Sequence, residues 1–141
     1  MLADHRAQVL MIAIALQESR AKHRFQIGGP ARGFWQFEKG GGCAGVLRHE
    51  ASKKYAHALL SELDIAPTLD AVWDAIPYSE LLAAGFARLL LWTHPKPLPM
   101  AMPANEQHAW DYYLNLWRPG KPHPEVWPQN WAEALRLCGD F

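Results

Sequence analysis

An unbroken run of eight apolar residues, 9–16 (VLMIAIAL), leads almost directly into Gln17 and Glu18. It is far short of the roughly 20 residues that a membrane-spanning helix needs. A helix that is apolar on every side has no face to offer water, so it must run through the middle of a core. Asp4 is a candidate N-cap, and the helix is expected to extend to about Lys22. Arg20, Lys22, His23 and Arg24 follow at its C-terminal end, where the helix dipole favours cations.

Elsewhere the apolar period is helical wherever one is visible, and no convincing alternating strand occurs. With 141 residues the chain reads as one all-α domain, 1–141. Residues 25–42 (FQIGGPARGFWQFEKGGG) differ in kind, because glycines and Pro30 punctuate them; they read as loop, with a short helical turn expected around 34–38. Helices are expected over 44–63, over 69–76, and over 79–92 with Ser79 as cap. The prolines of 94–103 (HPKPLPMAMP) make a stiff connector. Asn105 is then expected to cap a helix whose Trp110, Tyr113, Leu114 and Trp117 form one core-facing stripe. A second proline-rich connector, 118–128, precedes a final short helix over 130–138.

Cys43 and Cys138 match no zinc or redox spacing, and read as two buried free thiols or a single disulfide. The formal net charge is zero, which argues against nucleic acid as the main partner. That zero hides an asymmetry: residues 1–54 carry a net +5 and residues 55–141 a net −5. The basic front is either suited to an anionic polymer or simply one end of a dipolar surface.

Glu18 carries the clearest chemical signal. A carboxyl at the edge of a buried helix loses water on one side, which penalises its charged form and raises its pKa. A general acid needs that shift to hold a proton near neutral pH and deliver it to a leaving oxygen. Taken alone, a glutamate at a helix end is more often a solvated surface residue. Its surroundings add to the signal: Ala15-Leu16-Gln17-Glu18-Ser19-Arg20 is followed by Gly29-Pro30-Ala31-Arg32-Gly33-Phe34-Trp35-Gln36. Over roughly residues 12–37 the chain resembles the lytic transglycosylase family of the lysozyme-like superfamily, which pairs Glu-Ser at a helix end with a Gly-Leu-Met-Gln-like turn.

The resemblance implies a lysozyme-like domain in which the N-terminal helix is central and the 25–42 loop walls a cleft. It implies that Glu18 protonates the oxygen linking N-acetylmuramic acid to N-acetylglucosamine. The sugar's own 6-hydroxyl then closes a 1,6-anhydro ring. Ser19 would hold Glu18 from behind, Gly33 and Gln36 would bind substrate acyl groups, and Trp35 or Phe34 would face a sugar ring or pack in the core. The family also carries a later Tyr-Asn pair near the acid. Trp92-Thr93, closing the 79–92 helix, is the best match here, and it lacks the phenol that Tyr112 or Tyr113 would otherwise have to supply. The segment 110–127 (WDYYLNLWRPGKPHPEVW) has the look of phage-encoded wall-lytic proteins.

A hydrolase normally needs two carboxylates. Glu38 is the only other acid between Glu18 and Glu50, and serves either as that base or as a solvated loop residue. A lone acid favours the transglycosylase over a hydrolytic muramidase; the third alternative is a non-catalytic wall-binding or virion protein on the same fold. Gly40-Gly41-Gly42 reads as a flap hinge or as the start of a helix. Seven tryptophans exceed what the core requires, so some are expected to face the cleft. His49, Glu50 and His57 do not have metal-ligand spacing, and no metal or cofactor is implied.

The apolar run could double as a signal-peptide core, but Asp4 spoils the basic n-region and no small-x-small site follows. Read without an export signal, the protein would stay in the host cytoplasm until lysis or travel with a virion. The expected partner is the peptidoglycan glycan strand, met as a monomer, with no membrane insertion.

Overall fold

The computed structural model describes residues 4–139, and among these the architecture is all-α. Seven α-helices follow in order: α1 (His5–Ser19), α2 (Ala44–Arg48), α3 (Lys53–Glu62), α4 (Leu69–Ala75), α5 (Glu80–Trp92), α6 (Glu106–Trp117) and α7 (Trp127–Cys138). None is long and apolar enough to cross a membrane.

Helix α1 is the axis of the core. Val9, Leu10, Ala13 and Ile14 are fully buried, packed chiefly against α7 and also against α5. Asp4 caps it, its Oδ1 accepting from the Arg6 backbone N–H at 2.8 Å while the Arg6 guanidinium folds back onto the same carboxylate. That pairing holds Asp4 well below the ordinary carboxylate range, at about 2. The helix stops at Ser19, earlier than expected, because Arg20 and Ala21 both turn left-handed (φ 56° and 55°). Their amides then donate to Leu16 O and Ala15 O, closing the end as a C-cap does. Lys22, His23 and Arg24 therefore lie past the helix, and Arg24 ties the chain to Glu80 and the Pro77 carbonyl instead.

The expected 44–63 helix is broken into α2 and α3. Ser52 turns inward and its Oγ donates to Val46 O at 2.7 Å, while His49 Nδ1 accepts from the Ala51 amide. Such local side-chain bonds compete with the helical ladder. Thr68 and Ser79 cap α4 and α5 through their hydroxyls. Asn105 makes no such bond, contrary to expectation; a 3-10 turn, Pro103–Asn105, leads into α6. Helix α7 begins three residues early, at Trp127, since Pro128 sits in its first turn, where a missing N–H costs nothing.

No helical turn forms at 34–38. Residues 32–37 make a tight turn closed by paired backbone bonds between Arg32 and Phe37 at 2.8 and 2.9 Å, with left-handed Gly33 and Gln36 inside it. Gly33 is required: at φ 79° a side chain is strained, and a Cβ would lie 2.9 Å from Ile76 Cγ2. The triple glycine lies in an irregular turn, Lys39–Cys43, kinked at Gly41 (φ −98°, ψ −106°), that runs directly into α2. Cys43 and Cys138 are buried and unbridged, and burial pushes the Cys43 thiol up to about 12.

Candidate active site

Because α1 descends into the core, its last turn leaves Glu18 half-buried at the surface end of a fully apolar stretch. Loss of water on the core side pushes its carboxyl up to about 7, with the negative charge of Glu38 adding a smaller push. One group opposes the shift. Tyr113 Oη donates to Glu18 Oε1 at 2.6 Å, which favours the carboxylate. Burial and the neighbouring carboxylate push the Tyr113 phenol strongly upward, so it stays a donor.

Tyr113 is itself rigidly placed. Its ring lies parallel to Trp127, with centroids 5.5 Å apart, and against Trp110 and Trp117. Trp127 is fixed in turn by its indole N–H, which donates to Glu106 O at 3.0 Å. The stripe on α6 is thus core-facing, as expected, and its Tyr113 also delivers a hydroxyl to the acid.

Two cavities open beside Glu18. One, about 970 Å³, lies between the C-terminal end of α1 and α7; the other, about 620 Å³, lies between the 26–42 loop, α6 and residues 119–123. Gln36 and Glu38 line the second, across from Tyr113 and Trp117. Gln36 Nε2 donates to Gly33 O at 2.8 Å, which fixes its side chain at the cavity wall. Glu38 is exposed there.

The remaining expected site residues separate into wall-builders and outsiders. Ser19 is buried and its Oγ donates to Phe34 O at 2.6 Å, so it anchors the 33–36 turn to α1 and does not grip Glu18. Trp35 is also buried; its indole N–H donates to Met11 O at 2.8 Å, which makes it core and not a sugar platform. Phe34 lies under the Arg24 guanidinium, and neither it nor Gly33 lines either cavity. Trp92 and Thr93 fall outside the site. Trp92 lines a separate cavity with Asp4, Arg88 and Tyr112, and Thr93 Oγ1 closes α5 by donating to Leu90 O. The phenol comes from Tyr113; Tyr112 instead donates to Leu91 O and Lys96 O.

Gln17 was missing from the expected set. Its Nε2 donates to Pro122 O and His123 O at 2.7 and 3.0 Å, and its Oε1 accepts from Asn130 at 2.9 Å. One side chain therefore joins α1, α7 and the 118–123 connector. Among the tryptophans Trp117 alone lines the cavities at Glu18, its face held by an indole bond to Trp35 O at 2.9 Å. Neither residue carries a local signal beyond its apolar or polar type; both gain their place through contacts more than eighty residues away in sequence.

Among the described residues no group of three or more His, Cys, Asp or Glu is placed to hold a metal ion; Glu50 pairs with Lys53. No protein-family model, curated protein or solved structure matches the chain.

Proposed function

We propose that this protein is a glycan-cleaving enzyme whose general acid is Glu18. Within that class, the reading is a peptidoglycan lytic transglycosylase on a lysozyme-like domain. The observation that carries it is a carboxyl raised to about 7 at the edge of an open cavity, held by a buried phenol. Near neutral pH such a group divides its time between acid and base, and each turnover needs both.

The steps balance without water. The Glu18 proton passes to the glycosidic oxygen as the bond from that oxygen to the anomeric carbon breaks. The 6-hydroxyl of the same muramic acid then bonds to the anomeric carbon, and its proton returns to Glu18. Tyr113 would steady the carboxylate between the two transfers, since its hydrogen bond is stronger to the charged form. A non-catalytic role gains support from a site without a phenol, and Tyr113 supplies one.

A hydrolytic muramidase is the second reading, because Glu38 lines the same cavity and its charge acts on Glu18. Digestion of purified peptidoglycan by wild type and Glu18→Gln, followed by mass spectrometry, separates these readings. Fragment ends lighter by one water, absent with the variant, are the expected result. Reducing ends point to the hydrolase, and binding without cleavage to the structural protein.

A further inference from the structure

Glu18 stands between two cavities and not at the end of one. The larger continues past it toward α7, the smaller toward α6 and the 26–42 loop, and neither is an enclosed void. Gln17, Glu18, His23 and His123 line both. We propose that the site takes an internal stretch of a sugar polymer, with one flank in each cavity, and cuts it away from its ends. This rests on the glycan-cleaving reading above.

An enzyme that works from a chain end needs a wall that stops the strand one or two units beyond the acid. Here space continues on both sides. Each cavity falls in the range of a whole small-molecule site, roughly 300–1,000 Å³, so each takes more than the ring at the broken bond. Flanking units on both sides then supply binding energy that positions the central bond against Glu18.

The two walls offer sugar units different groups. On the α6 side Trp117, fixed by its indole bond to Trp35 O and by Phe37 and Tyr113, adds an aromatic side chain to the wall. On the α7 side Arg136 pairs with Glu133 at 2.8 Å, and His123 Nδ1 lies 3.3 Å from Glu125 Oε1. Exposed Gln129 adds an amide there. Such amides and charged groups supply donors and acceptors for hydroxyl and acetamido groups. At the divide, the bonds of Gln17 to Pro122 O, His123 O and Asn130 hold both walls in register with the acid.

Peptide-free glycan strands, tagged at the reducing end and incubated with the full chain, test this by the lengths of the earliest products. A steep fall in mean strand length, with disaccharide a minor product, is expected. Disaccharide as the dominant first product, with most strands intact, overturns internal cutting and leaves the role of Glu18 standing. No new ends from wild type, or equal rates from Glu18→Gln, overturn both. A second variant, Ala132→Trp, puts an indole into the larger cavity from an exposed position on α7. It should slow cleavage of long strands about tenfold, equivalent to about 1.4 kcal/mol of transition-state binding, with the melting temperature unchanged. Unchanged rate and product lengths in a folded variant count against the proposal.

Discussion

Tyr113 reaches across a sequence separation of 95 residues to place its hydroxyl 2.6 Å from Oε1 of Glu18. The contact joins the last turn of α1 to the middle of α6. Burial pulls the carboxyl toward its neutral form and the phenol pulls it back, so the two together set where it titrates.

That balance fixes the pH profile. Activity that needs protonated Glu18 should fall as pH rises through about 7. Tyr113→Phe removes the bond that favours the carboxylate, so the alkaline limb should move to higher pH. Its kcat should drop about tenfold to a hundredfold, the size of a lost bond to a charged group. A pH–rate profile of both proteins on peptidoglycan checks this, and a limb that stays in place would refute the pairing.

The same burial should weaken the fold at alkaline pH. The native state holds the Glu18 proton more tightly than the unfolded chain does, whose carboxyl titrates near 4.5. Stability from this group is therefore complete below about 4.5, declines through the window from there to about 7, and is lowest above it. Glu18→Gln, neutral and of the same shape, should gain up to about 3 kcal/mol over wild type at pH 8 and almost nothing at pH 4. Urea unfolding at the two pH values measures it; equal gains at both would sink the idea.

Ser19→Ala should act through the turn and not through the acid. Without the Oγ donor, the Phe34 carbonyl loses a 2.6 Å bond in a partly buried place, at a cost of about 1–2 kcal/mol. The 33–36 turn then loosens from α1, and Gln36 with it. KM should rise more than kcat falls, while the alkaline limb near 7 stays put. A shifted limb would show that Ser19 touches the titration of Glu18 after all.

How much of this was legible beforehand depended on the range of the forces involved. The apolar run at 9–16 specified a central helix, and a carboxyl two residues past its end had to lose water. Gln36 was placed at the cleft by the resemblance, and the tight turn puts it there. Trp92 occupies the spot of the Tyr-Asn pair in chain order, but the phenol, open between Tyr112 and Tyr113, arrives with Tyr113 from α6 through packing on Trp127. Of the two roles open to Trp35, platform or core, packing decides for the core: its indole partner, Met11 O, lies on a helix the loop only meets after folding. The break between α2 and α3 escaped notice for a related reason: Ser52 turns inward to a carbonyl six residues earlier.

Both thiols are interior and unlinked, and the one at Cys43 resists ionisation up to about 12. Since only the thiolate exchanges or oxidises readily, neither reductant nor mild oxidant has a handle on the chain's cohesion. Its shape should therefore be the same with and without reductant.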